Sequence, residues 1–169
     1  PSVQSFLDSM ADAEEKIAEK LELAAAIFPE AADLEIDPCV SDNLTISTMH
    51  GCPPEEIEKI GSYFINKRKL NTTIKLNPTL LGPDSLREIL NNRLGFDITV
   101  PDIAFEHDLK YDAGVDLIGN LLDQADAAGV AFNIKLTNTL ETQNNKGRLP
   151  DNEQMVYMSG RPLHVISIN

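Results

Sequence analysis

Basic residues are scarce in this chain. Lys and Arg number 14 against 27 Asp and Glu, a formal net charge of −13 at pH 7. Phosphate backbones and anionic membrane surfaces are held by clustered cations, so neither a nucleic acid nor a membrane is expected as partner. Long apolar runs are missing as well: none approaches the roughly 20 residues that span a bilayer. No basic-then-apolar leader is visible, and the chain opens without Met on a polar, amphipathic segment, which reads as a piece of a longer protein. Cysteine is nearly absent. Cys39 and Cys52 form neither a CxxC pair nor a zinc spacing, so no metal site is expected and a reducing, cytoplasmic compartment is the default. There is no GxGxxG and no GxxxxGK[ST], which removes the dinucleotide and nucleotide-phosphate fingerprints. What remains is 169 residues that are 42% hydrophobic. That suffices for one ordinary domain with a core and argues against disorder.

The most informative stretch is Asn43 to Ile65, NLTISTMHGCPPEEIEKIGSYFI. Leu44, Ile46 and the β-branched Thr45 and Thr48 predict a short strand. Met49 to Cys52 is a tight polar turn. Pro53 and Pro54 fit only at the start of a helix, where a missing N–H is no loss. Glu55 and Glu56 then suit the helix dipole, and Ile57, Ile60, Phe64 and Ile65 keep one apolar face. A hydroxyl, an imidazole and a thiol thus gather at the carboxyl end of a strand, where α/β proteins bind ligands.

Around this stretch, helical spacing of Val3, Phe6, Leu7, Met10, Ile17 and Leu21 predicts one long amphipathic helix over residues 2 to about 27, packed on the outside of a sheet. Pro29 ends it, and 29–42 is a connecting loop. Thr72–Asn77 is a second strand with a lysine inside it. Asp84–Arg93 reads as a short helix. Phe96–Val100 alternates with period two and predicts a third strand. Asp112–Ala128 reads as a helix burying Val115, Ile118, Leu122 and Ala125, with Gly129 past its end. Val130–Thr137 is a fourth strand, Thr142–Asn152 a loop, and Met155–Met158 a fifth strand. Strands alternating with helices imply a parallel sheet with helices outside it. The echo of Ile74-Lys75-Leu76-Asn77 in Ile134-Lys135-Leu136-Thr137-Asn138 suits a barrel whose strands deliver residues to one mouth. Four or five parallel strands are too few to close eight, so a partial barrel is expected, with 1–42 as a helical preface and 43–169 as the barrel segment.

Lys75 and Lys135 carry the strongest chemical signal, because an ammonium inside an apolar strand needs a partner or a polar cavity. An edge ion pair would explain one such lysine; two in the same setting point to a site. That site could hold a phosphate, form a Schiff base or stabilise charge on a reduced flavin. Cys52 at a helix N-terminus has a dipole-stabilised thiolate, and with His50 nearby it is a proton donor or nucleophile, or else an inert capped turn. Asn77, Thr137, Asn138, Thr139 and Ser159 supply hydrogen bonds at predicted strand ends, as caps and turns also do. Glu106-His107-Asp108 reads as a solvated loop, with acid–base work by a His between two acids as the alternative, and His164 reads as structural.

ISTMHGCPPEEIEKI, NTTIKLNPTLLGP, FEHDLKYD, IKLTNTLET and YMSGRPL together resemble the putative selenate reductase family, large iron–sulfur flavoproteins with a dihydropyrimidine- or dihydroorotate-dehydrogenase-like barrel. The resemblance runs from about Leu44 to Asn169 and implies a segment of an FMN-type TIM barrel. It implies that Lys75, Lys135, Thr137, Ser159 and Gly160 face the cofactor, and that Asn77, Asn138 and Thr139 face a small-molecule substrate. Cys52 or His50 would move protons. There are departures. Thr45 stands where the dehydrogenases have Asn, and Cys52-Pro53 arrives several residues late. The glycine-rich early strands, the late glycine pair for the FMN phosphate and the iron–sulfur cysteines are absent. Iron–sulfur clusters and FAD are therefore expected only in the longer parent, and whether this segment alone suffices for FMN stays open. The expected function is electron transfer between flavin and a small polar substrate. The alternatives are a Schiff-base lyase using a strand lysine, or a non-catalytic barrel remnant that acts as an interaction module. Unpaired sheet edges would favour a homo-oligomer.

Overall fold

The computed structural model describes residues 2–48 and 51–169, and it divides into two compact units, Pro1–Asn43 and Leu44–Asn169. In the first, the expected single helix is two: α1 (Val3–Ala11) and α2 (Glu14–Ala25). The periodicity is unbroken, but Asp12 turns extended (φ −142°, ψ 105°) and its carboxylate accepts the Glu14 N–H at 3.2 Å. Asp competes with helical backbone bonding in this way because its short side chain reaches nearby N–H groups. The interruption is held by the loop after α2: Pro38 accepts the Ala13 N–H at 2.9 Å, and Met10 accepts the N–H groups of Val40 and Ser41. A 3-10 turn, Pro29–Asp33, begins where proline ends the helical pattern.

The second unit is an α/β array. Strand β1 (Asn43–Ser47) is followed by α3 (Pro54–Ser62), whose last turn continues as a π-turn over Tyr63–Lys67. Strand β2 (Asn71–Leu76) follows, then α4 (Pro83–Arg87) with a π-turn over Glu88–Arg93, and α5 (Asp102–His107). Helix α6 (Tyr111–Ala128) precedes β3 (Phe132–Leu136). The three strands form one parallel sheet in the order β1-β2-β3. An antiparallel pair, β4 (Leu140–Gln143) and β5 (Met155–Met158), is separate from it, and α7 (His164–Ser167) closes the chain.

The strand count differs from four or five parallel strands in two ways. Thr142 and Gln143, read as loop, belong to β4, and Met155–Met158 pairs antiparallel with it. Phe96–Val100 has the strand pattern yet joins neither sheet. Its carbonyls are taken by a side chain: Asn91 Nδ2 donates to the carbonyls of Phe96 and Ile98 at 2.8 and 2.7 Å. Among the described residues, only Thr99 O is reached by a neighbouring strand, through the Gln143 N–H at 2.8 Å. Capture of backbone acceptors by a local amide leaves no ladder to form.

Two apolar clusters hold this unit. One joins α3, β2 and α6 through Ile57, Ile65, Ile74, Leu76, Leu117 and Leu121. The other gathers Leu86, Leu90, Val100, Phe105, Leu140 and Leu163. Each fully buried aliphatic side chain contributes about 1.5–3 kcal/mol. Of the expected stripe on α6, Ala125 is buried and Ile118 packs at the edge of the core, but Val115 is 52% and Leu122 44% exposed, and Gly114, Leu117 and Leu121 face inward in their place. Small residues choose the face. An added Cβ on Gly61 of α3 would lie 3.0 Å from both Leu121 methyls, and one on Gly114 would lie 3.4 Å from Leu109 and Leu80. Leu121 therefore seats in the hollow over Gly61, and the 114/117/121/125 stripe follows. Gly129, left-handed at φ 72°, returns its N–H to Ala125 and Asp126 and ends the helix.

Candidate functional site

Strands β2 and β3 pair in strict register, Ile74 opposite Ile134 and Lys75 opposite Lys135. Side chains alternate faces along a strand. Since Ile74 and Leu76 point into the helix-side core, both lysines point to the other face. Neighbouring strands lie about 4.8 Å apart, so the two cationic stems rise side by side.

The carboxyl ends of all three strands are tied together below them. Thr48, just past β1, donates its hydroxyl to the Lys75 carbonyl at 2.8 Å and its N–H to the same atom at 3.3 Å. That hydroxyl also meets Asn77 Oδ1 at 3.3 Å, the weaker branch because its one proton serves the shorter bond. Asn138, just past β3, donates its N–H to Leu76 O at 2.6 Å and its Nδ2 to Thr48 O at 2.9 Å, and its Oδ1 accepts the Thr139 N–H at 2.9 Å. Asn138 thus spans from β3 across β2 to the end of β1. This is a structural duty beside any ligand contact.

Above this tie lies a cavity of about 320 Å³. It is lined by Lys75, Lys135, Thr137, Asn138 and Thr139 and by Ser159 and Gly160, with Lys75 half-buried and Lys135 exposed. Gly160 has φ 78° and ψ −144°, a backbone conformation that a residue with a Cβ rarely adopts; it turns the chain from β5 into the short helical segment that ends in α7. That segment brings Leu163, His164 and Ser167 to the same cavity. His164, read as structural, is therefore a cavity residue, and no local pattern announces it. No Asp or Glu is among the described residues of the wall. Thr137 spends its proton on Asn138 O and Ser167 its proton on Leu163 O. Lys75 Nζ, Lys135 Nζ, the hydroxyls of Thr139 and Ser159, and the His164 ring have no partner among the described residues.

Asn77 is 3% exposed and borders a smaller cavity of about 120 Å³, which shares Leu136, Thr137 and Ser167 with the lysine cavity. Cys52 lines neither. Its Sγ lies 4.0 Å from Glu56 Oε2, and partial burial, then the Glu56 charge, push the thiol pKa above its ordinary value. The dipole-stabilised thiolate expected there is thus outweighed, and Cys52 is held as the neutral thiol. His50 lies outside the described residues. Asp108, expected in a solvated loop, is instead 5% exposed and accepts the Thr79 hydroxyl at 2.8 Å. Its apolar neighbours Phe105 and Leu109 carry it inward, and nothing in the local pattern announces it.

A larger cavity of about 460 Å³ lies between the β4–β5 pair and Phe96–Ile98, with Ser159 on its border too. Lys146 at its edge is already bound to Asp97 at 2.6 Å. Arg148 on its wall, like the two lysines, has no acidic partner among the described residues, but that is one such cation against two in the lysine cavity. Among the described residues, no group of three or more His, Cys, Asp or Glu is placed to hold a metal ion, and no helix is long and apolar enough to cross a membrane.

The family model described as "Oxidoreductase YgfK, N-terminal TIM-barrel domain" matches residues 1–169. The chain is 40% identical over 189 aligned positions to "Putative oxidoreductase YgfK" of Escherichia coli K12, with 100% of this chain and 18% of that protein covered. The protein of the same name from Escherichia coli O157:H7 gives the same figures. The chain therefore spans under a fifth of the length of these curated relatives. No solved structure matches it.

Proposed function

The chain belongs to the family of YgfK-type oxidoreductase N-terminal TIM-barrel domains, and from that premise we propose that its lysine cavity is the redox end of a flavin-dependent oxidoreductase barrel. TIM-barrel enzymes work at the carboxyl ends of their strands. Lys75, Asn77, Thr137 and Asn138 stand at that end. The observation that carries the reading is the pair of in-register lysines, unpartnered among the described residues, facing a cavity with no carboxylate in its described wall.

The donor set fits the electron-accepting edge of a flavin ring. The late glycine pair that would hold an FMN phosphate is not in this sequence, so these residues account for the ring edge and leave the phosphate end unassigned. When bound, a flavin supplies two-electron transfer and gains negative charge on its ring. Lys75 and Lys135 stabilise that charge. Ser159, Gly160 and Thr137 would border the cofactor, Asn138 and Thr139 would orient a small polar substrate, and Asn77 would do so from the adjoining smaller cavity. Of the two proton-transfer candidates, Cys52 is held neutral but borders neither cavity, which leaves His50 as the candidate for that role. The likeness to selenate reductases fixes neither substrate nor direction, and a pyrimidine-like heterocycle suits the amides equally. Iron–sulfur clusters and FAD would belong to the longer protein.

FMN titration followed by flavin fluorescence tests the reading. Quenching in the protein, weakened roughly tenfold in Lys75→Ala or Lys135→Ala, is the expected result. Colourless protein that leaves FMN fluorescence untouched would return this chain to a non-catalytic interaction module. A Schiff-base lyase is the second reading, favoured by the adjacency of two lysines, since a neighbouring cation is one way an amine nucleophile is activated. Borohydride trapping of a carbonyl substrate on Lys75 or Lys135 separates it from the flavin reading.

A further inference from the structure

We propose that the cavity between the β4–β5 pair and Phe96–Ile98 is a binding site in its own right, built for an organic acid with an apolar body and a single carboxylate. It is separate from the lysine cavity, with Ser159 the one described residue on the border of both, and it does not depend on the flavin reading. Its floor is the outer layer of the apolar cluster around Leu90 and Leu140. Burial alternates along Phe96–Val100, so that Phe96 and Ile98 pack against that cluster, and Met158 joins them from β5. Residues two apart on a strand share a face, which sets Val156 beside Met158 on the same floor. These four apolar side chains are half-buried and not covered over. The volume of about 460 Å³ is in the range that encloses most of a small organic molecule.

Most polar groups around that floor are already spent, and those left over select the ligand. Thr142 donates its hydroxyl to Val156 O at 2.9 Å, and Asn145 donates its Nδ2 to Thr99 Oγ1 at 2.8 Å. Lys146 and Asp97 neutralise one another. Among the described residues, the Arg148 guanidinium, the Gln143 side-chain amide and the Ser159 hydroxyl have no partner. The lining therefore carries one net positive charge, in a chain whose own net charge is −13. The loop that bears Arg148 is also pinned. Asn144 Oδ1 accepts the N–H groups of Arg148 and Leu149 at 2.8 and 3.2 Å, and Asn144 Nδ2 donates to Leu149 O and Glu153 O at 3.0 and 2.9 Å. One side chain thus holds the backbone that carries the guanidinium, which lowers the ordering cost of binding. A guanidinium fork meets a carboxylate through two parallel bonds. A neutral ligand leaves that fork unused, and a dianion exceeds the one charge on offer. A small polar acid leaves the apolar floor in water. An acid with an apolar body answers both the fork and the floor.

Hydrocinnamate, a phenyl ring on a short chain ending in one carboxylate, is the probe at neutral pH. Hydrocinnamyl alcohol has the same body without the charge, and propionate has the charge without the ring; these are the controls. Backbone-amide NMR titration of the chain reads both the affinity and the place. The expected shifts lie at Ile98, Gln143, Arg148 and Val156, with hydrocinnamate bound roughly tenfold tighter than either control. Arg148→Gln should weaken the acid by about that factor and leave the alcohol unchanged; Arg148 is exposed, so the variant keeps the fold. Arg148→Lys should recover part of the loss, because an ammonium keeps the charge and not the fork. Val156→Thr, which keeps the shape and adds a hydroxyl to the floor, should weaken acid and alcohol alike. An alcohol that binds as well as the acid, an acid indifferent to Arg148→Gln, shifts confined to Thr137, Asn138 and Thr139, or no saturable shift with any of the three compounds would each overturn the assignment.

Discussion

Asn138 is the side chain on which the mouth of the sheet depends. Its amide links Thr48 to Thr139 while its N–H holds Leu76, so one residue keeps three strand ends in line beneath the lysines. Truncation to alanine removes both side-chain bonds. At about 1 kcal/mol net for each, Asn138→Ala should cost about 2 kcal/mol, seen as a lower urea midpoint with an unchanged slope. A midpoint within error of the parent would show the tie to be ornamental. The sequence marks Asn138 as a ligand residue because it follows a lysine-bearing strand. It cannot reveal that both amide ends are engaged, since the partner Thr48 is 90 positions away. His164 was hidden for a like reason: one histidine in a helical segment has no periodic signature, and only the turn at Gly160 delivers it to the cavity.

The packing of α3 against α6 turns on volume more than on pattern. Two apolar stripes on α6 are available, and the one that faces inward is the one whose Leu121 meets a glycine. Gly61→Ala would set a Cβ 3.0 Å from both Leu121 methyls. Ala gains about 1 kcal/mol of helix propensity over Gly, while overpacking typically costs about 1–3 kcal/mol. We expect net destabilisation of about 1 kcal/mol, and relief when Gly61→Ala is combined with Leu121→Val, read by thermal melts of the single and double variants. Equal melting of Gly61→Ala and the parent would mean that the stripe is chosen by something else. The same scale explains Phe96–Val100. Alternation predicted a strand, and a side-chain amide from Asn91 took the acceptors that a strand needs.

Across the whole molecule the formal charge of −13 opposes the approach of anions to the lysine cavity. Added salt should therefore ease entry, within a Debye length of about 8–10 Å. Among the described residues, β3 pairs with β2 on one side only. Ile134, on the helix side of the sheet, is 45% exposed. Such an edge is a template for another strand, so we expect the chain to self-associate. Light scattering should report a dimer or larger species, and Ile134→Lys should return it to monomer; a monomeric parent would count against the edge as a contact.

Sequence alone determined the alternation of strands and helices, the start of α3 at paired prolines, and the lysine echo that marks two equivalent strands. These follow from local rules: a period of two or 3.6, a missing N–H, a residue type where burial would be costly. It also identified seven residues, Lys75, Lys135, Thr137, Asn138, Thr139, Ser159 and Gly160, that share one cavity. Tertiary structure decided the register that sets Lys75 beside Lys135 and the stripe of α6 that is buried. It also decided the antiparallel pairing of β4 with β5, the burial of Asp108 and the arrival of His164. Each of these depends on which distant atom occupies a given space, and no local period records that.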